Sequence, residues 1–117
     1  MTKVLIVDDE YTTLTIIEKM LQSGGYDVVM TSDGKEVETL VEDEHPDILI
    51  IDIFMPDVDG IENIIAVRNI YPELPILAIS TNNDYLRVAR KFGADASIHK
   101  PILGSDLLEQ VHSLIRH

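Results

Sequence analysis

Hydrophobic positions along the chain fall into two rhythms. Compact apolar blocks occupy residues 3–7, 26–31, 47–52, 75–80 and 96–100, each short enough for a strand. Between them apolar residues recur every three or four positions, the spacing of one helix face. The first such segment, residues 10–23, carries Leu14, Ile17 and Leu21 on one stripe, and Gly24-Gly25 supplies a left-handed stop behind it. Residues 33–43 turn Val37, Leu40 and Val41 inward, and Pro46 breaks the chain after them. A third helix, capped by Asp59 and running to residue 69, is expected to bury Ile61, Ile64 and Ile65. A fourth spans residues 83–92 and ends at Gly93. The last, capped by Ser105, has the stripe Leu107, Leu108, Val111, Leu114 and Ile115.

Five strands in strict alternation with five helices predict an α/β fold, a single parallel sheet covered on both faces. The unbroken run Ile48-Leu49-Ile50-Ile51 suits a central strand buried on both sides. With 117 residues and no linker or repeat, one domain over residues 1–117 is expected. An open parallel sheet binds ligands beyond the carboxyl ends of its strands. Those ends carry Asp8-Asp9-Glu10, Asp52, Ser80-Thr81 and Lys100-Pro101, segments that are remote in sequence and that the fold should gather on one edge.

Composition narrows the chemistry. The chain has no cysteine, which removes disulfides, thiolate catalysis and cysteine-ligated zinc. Its formal charge of −12, from 9 Lys and Arg against 21 Asp and Glu, repels nucleic acid. The basic trio Arg87, Arg90 and Lys91 reads as a solvated helix face or as a face for a partner. No apolar stretch approaches the roughly 20 residues that span a bilayer, and Met1-Thr2-Lys3 runs straight into a strand without a signal-peptide pattern. A cytoplasmic protein that meets neither membrane nor nucleic acid is expected.

Asp8 and Asp9 alone could serve the dipole of the first helix. Asp52 is different, because it follows four aliphatic residues and so leaves the sheet at the end of a buried strand. Three carboxylates in one cleft raise each other's pKa and call for a cation. Mg²⁺ suits a small carboxylate set that leaves room for water and phosphate. A carboxylate can attack phosphorus to give an aspartyl phosphate, a reaction that depends on in-line positioning and charge neutralisation. Lys100 would then pair with one phosphoryl oxygen, and the Ser80 hydroxyl would hydrogen-bond another.

The motifs in order are Leu5-Ile6-Val7-Asp8-Asp9-Glu10, then Asp52-Ile53-Phe54-Met55-Pro56-Asp57-Val58-Asp59-Gly60, then Ser80-Thr81, Gly93-Ala94-Asp95 and Lys100-Pro101. Over its whole length the chain resembles the receiver domain of bacterial response regulators. The resemblance implies a flavodoxin-like doubly wound fold with strand order 2-1-3-4-5. It implies Asp52 as phosphoacceptor, Asp9 as a direct Mg²⁺ ligand, Asp8 acting through coordinated water, and the backbone carbonyl of Phe54 as a further ligand. Ser80 would be the switch hydroxyl and Lys100 the phosphate-pairing lysine, with Thr81, Ser97 and His99 on the way to an output face. The Lys100–Pro101 peptide would be cis. The donor would be a histidine kinase or histidine phosphotransfer protein, and the output a downstream protein or a fused domain. A homodimer through the fourth helix, fifth strand and fifth helix belongs to the same expectations. Such a switch phosphorylates and dephosphorylates itself without turning over an external substrate, so it is not counted as an enzyme.

This sequence departs from the family pattern in two ways. Ser97 occupies the position of an inward-turning aromatic, which either leaves movement of the loop after Ser80, and of His99, to carry the signal or decouples this face. Phe54 and Asn82 occupy the positions that tune hydrolysis, and the bulk of Phe54 should hinder attacking water. Three other readings compete. A haloacid-dehalogenase-type phosphatase wants a second carboxylate where Phe54 stands. A flavin or nucleotide domain wants a Gly- and Ser-rich loop where Asp8-Asp9-Glu10 stands. A phosphorylation-independent adaptor would not need the complete acidic set.

Overall fold

The structure, a computed structural model, describes residues 2–55 and 59–115, so Pro56, Asp57 and Val58 of the long motif, and the ends of the expected domain at Met1, Arg116 and His117, lie outside the described residues. The strands are β1 (Lys3–Val7), β2 (Asp27–Thr31), β3 (Ile48–Asp52), β4 (Ile76–Ser80) and β5 (Ala96–His99). The helices are α1 (Tyr11–Ser23), α2 (Val37–Glu44), α3 (Gly60–Ile70), α4 (Asn83–Lys91) and α5 (Gly104–Ile115). All strand pairs are parallel, in the order β2-β1-β3-β4-β5. This is the flavodoxin-like order expected.

Alternation along the strands divides the core in two. Leu5, Val7, Leu49, Ile51, Ile76 and Ala78 pack against Val37 and Val41 of α2, Ile64 and Val67 of α3, and Leu86 and Ala89 of α4. Val4, Ile6, Ile48, Ile50, Leu77 and Ile79 pack against Leu14, Ile17 and Leu21 of α1 and Leu107 and Val111 of α5. Because β3 and β4 have helices on both sides, every residue of both strands is buried, and that is why they read as unbroken aliphatic runs.

The structure corrects three local expectations. Ile65 stands exposed, and Val67 takes the buried place, because the core stripe of α3 runs through Gly60, Asn63, Ile64 and Val67. Ser105 does not cap α5; the helix starts at Gly104, and Leu107 N–H donates to the carbonyl of Leu103 at 3.0 Å. The segment from residue 33 opens as a 3-10 turn, Gly34–Glu36, with Asp33 accepting from the N–H of Lys35, before α2 begins at Val37. The other stops fall as read. Gly25 has φ +89° and Gly93 φ +136°, and the Oδ1 of Asp59 accepts from the N–H of Ile61.

Candidate functional site

Strand register brings the site together. Val7 pairs with Ile51, so the next residues, Asp8 and Asp52, leave the sheet side by side. Asp52 is level with Ile79, so Ser80 lies one step beyond it on β4. Ser80 is level with His99, which puts Lys100 one step beyond on the edge strand. There the Lys100 N–H donates to the Ser80 carbonyl at 2.8 Å, and the Lys100–Pro101 peptide is cis.

Asp8, Asp52 and Ser80 are buried, at 0%, 3% and 1% exposure, whereas Asp9 faces solvent. Lys100 reaches in from the edge. Its Nζ lies 2.8 Å from Asp8 Oδ2, 3.3 Å from Asp52 Oδ2 and 3.8 Å from Glu10 Oε1. The carboxylates of Asp8, Asp9 and Asp52 each offer an oxygen, and these oxygens lie within 4.8 Å of one another. Hard oxygen donors so spaced fit a small divalent cation.

The local turns fix the carboxylates rather than the helix. Asp8 Oδ1 accepts from the N–H of Glu10 at 2.9 Å, and Glu10, which precedes α1, makes no side-chain cap. Asp52 Oδ1 accepts from the N–H of Phe54 at 3.1 Å. Gly60 lets the start of α3 lie against the end of β3, since a Cβ there would lie 2.4 Å from the Ile53 Cα and 2.8 Å from the Asp52 carbonyl oxygen. On β4, Ser80 Oγ accepts from the N–H of Asn82 at 3.0 Å.

Electrostatics follow from burial. Desolvation pushes the Asp52 carboxyl up from 3.8 to about 6, the Phe54 N–H and Lys100 pulling it down and the Asp8 charge pushing it further up. Partial desolvation and then the neighbouring Asp8 raise Asp9. Burial works against the charge on Lys100, but its bonds and attraction to Asp8 and Asp52 prevail and raise its pKa. An acidic cluster that is costly to keep charged, with one lysine already in it, is a site for a further cation.

Asp9, Glu10, Asp52, Phe54, Ser80, Thr81 and Lys100 line an open groove of about 410 Å³. Ser97 and His99 are not part of it. They line a second groove, of about 420 Å³, with Asn83, Leu86, Arg87 and Arg90 of α4, so the face expected to meet α4 does so. Two residues that sequence reasoning gave no structural part stand close to the site. Asn82 caps α4, and Tyr85 packs its ring against Phe54.

The sequence model of the response regulator receiver domain matches residues 4–112. The chain belongs to that family. It is similar to the alkaline phosphatase synthesis transcriptional regulatory protein PhoP of Bacillus subtilis (strain 168), with 32% identity over 116 residues, 97% of this chain and 48% of that protein. The chain therefore spans about half the length of this curated relative. Among solved structures it is similar to a response regulator of Chloroflexus aurantiacus J-10-fl, with TM-score 0.94, 28% identity, and 99% and 98% of the two chains covered. It is also similar to the chemotaxis protein CheY4 of Vibrio cholerae, with TM-score 0.90, 30% identity, and 97% and 98% covered. Receiver domains are phosphoacceptor switches of two-component systems, they bind Mg²⁺ in an acidic pocket, and as a family they work with histidine kinases and output domains. In this receiver domain the Asp8, Asp9 and Asp52 cluster has the donor chemistry for such an ion.

Proposed function

We propose that Asp52 accepts a phosphoryl group from a histidine kinase or histidine phosphotransfer protein, and that residues 1–117 act as one receiver domain. The observation that carries this reading is Lys100 Nζ lying 2.8 Å from Asp8 and 3.3 Å from Asp52, at the ends of three parallel strands. An oxygen of Asp52 forms a bond to phosphorus as the bond from phosphorus to the donor imidazole breaks and its electrons return to the ring. Lys100 turns from the free carboxylate to the new phosphoryl oxygens. The Ser80 hydroxyl, now an acceptor for the Asn82 N–H, can donate its own proton to another of them. Asp8, Asp9, Asp52 and the Phe54 backbone carbonyl would hold Mg²⁺, which when bound neutralises charge on the transferred group.

Ser80 and Thr81 form the switch end of this reading, and Ser97 and His99 its output face, through the groove shared with α4. The protein resets by hydrolysing its own acyl phosphate and turns over no external substrate. A downstream protein or a fused output domain receives the signal, and a second copy can use the α4, β5 and α5 face. The domain works in the cytoplasm. Among the described residues no helix is long and apolar enough to cross a membrane.

Acetyl phosphate with Mg²⁺ tests the reading. Intact mass should show one added phosphoryl group, released by hydroxylamine, and Asp52→Asn should add none. Full labelling of that variant would sink the assignment, and no labelling of the wild type would favour an adaptor that works without phosphorylation.

A further inference from the structure

Phe54 and Tyr85 are large, exposed aromatics, at 59% and 41%, and they are exposed against each other. Their ring centroids lie 5.3 Å apart with the planes tilted by 34°, within the range of attractive aromatic pairs. Phe54 belongs to the loop after β3 and lines the site groove. Tyr85 belongs to the first turn of α4 and does not line it.

Two short chains of contacts run from the site to Tyr85. From Asp52, Oδ1 accepts the Phe54 N–H at 3.1 Å, and the Phe54 ring meets the Tyr85 ring. From Ser80, Oγ accepts the Asn82 N–H at 3.0 Å, and Asn82 Oδ1 accepts the N–H groups of Asp84 at 2.9 Å and Tyr85 at 3.2 Å. The acceptor strand therefore reaches Tyr85 through the Phe54 ring, and the hydroxyl strand reaches it through its backbone N–H. An exposed phenylalanine on a loop samples several rotamers unless a neighbour holds it, and Tyr85 is that neighbour.

We propose that Tyr85 is a positioning residue for the phosphoryl site: it holds the Phe54 ring over the mouth of the groove and so slows hydrolysis of the acyl phosphate. The inference rests on Asp52 being the acceptor. In that hydrolysis the oxygen of water bonds to phosphorus while the bond from phosphorus to the Asp52 oxygen breaks. The electron pair returns to the carboxylate, and the proton of water leaves with orthophosphate. Water must approach opposite the departing carboxylate oxygen, and a held ring narrows that approach where a free one sweeps clear of it.

The test follows decay of the phosphorylated chain by intact mass after acetyl phosphate is removed at constant Mg²⁺. Tyr85→Ala and Phe54→Ala should each speed decay about threefold to tenfold, the range an exposed aromatic pair supports. The double variant should decay no faster than the faster single, because both remove one contact. Tyr85→Phe keeps the ring and should keep the wild-type lifetime. A merely structural Tyr85 would move the melting temperature and leave the decay alone, so both are read. Unchanged decay in Tyr85→Ala, multiplied effects in the double variant, or fast decay in Tyr85→Phe each overturns the proposal while leaving Asp52 as acceptor. Failure of the wild type to take up phosphate removes the acceptor, and this inference with it.

Discussion

Replacing Asp52 by Asn should stabilise the metal-free protein, by an amount that depends on pH. Asn has the shape of the protonated acid and never carries its charge. Burial raises the folded-state pKa of Asp52 to about 6 from 3.8. Between those values the folded chain holds a proton that the unfolded chain releases, so stability falls as pH rises through that window. Above about 6 the full penalty is in place. The interval between 3.8 and about 6, at about 1.4 kcal/mol for each pH unit, amounts to about 3 kcal/mol. Lys100, raised above 10.5, contributes its stabilisation fully below that value, so it adds no slope between pH 4 and 8. Urea unfolding in EDTA, followed by circular dichroism, gives the difference between variant and wild type at each pH, and subtraction removes the titration of carboxylates remote from Asp52. The difference should be near zero at pH 4 and reach about 3 kcal/mol by pH 7.5. A difference that stays flat across this range would refute the claim that burial of the Asp52 charge is a cost to the fold.

A cation should relieve that cost. At a tenfold excess over its Kd, Mg²⁺ adds about 1.4 kcal/mol to wild-type stability, a rise of about 5 °C in melting temperature, and Asp9→Ala should lose most of it; an unmoved wild-type melting curve in millimolar Mg²⁺ would count against a metal site. Elsewhere, Asn63 is 7% exposed on the core stripe of α3, and its Nδ2 lacks a hydrogen-bond partner among the described residues. Asn63→Leu should raise stability by about 1–2 kcal/mol in chemical denaturation, and a lowered midpoint would show that the amide is needed where it stands.

Most of the fold is written in short-range pattern. The two buried strands, β3 and β4, show themselves as aliphatic runs because neither has a solvent face. Helix ends are legible where one side chain or one glycine decides them, as Asp59 and Gly93 do. They are illegible where the backbone supplies the bond. Ser105 has the chemistry of a cap, but the carbonyl of Leu103 begins the α5 ladder two residues earlier. Ile65 was misplaced for a related reason. Ile64 and Ile65 are equal in hydrophobicity, and the buried side of α3 is the one that carries Gly60, which lies against Ile53.

At the site, sequence order and fold class suffice to gather Asp8, Asp52, Ser80 and Lys100, because each directly follows or ends a strand whose register is fixed by the sheet. The residues that link this site to α4 escape such reasoning, since their partners depend on loop geometry. Phe54 and Tyr85 meet across 31 positions with no periodicity between them, and nothing in the sequence pairs them. Yet these residues bear directly on the absence of an aromatic at Ser97. Ser80 is bonded on two sides, by its carbonyl to the Lys100 N–H on the β5 side and by its hydroxyl oxygen to the Asn82 N–H before α4. If the hydroxyl turns to a phosphoryl group, the second bond must give while the first can stay. The disturbance would then enter α4 at its cap, where Asn82 holds Asp84 and Tyr85, and leave β5 in register. Only interactions that differ between the two states can shift their populations, and here those would be the cap of α4 and the Phe54–Tyr85 contact. In that arrangement Ser97 need only be small enough to let α4 move over it.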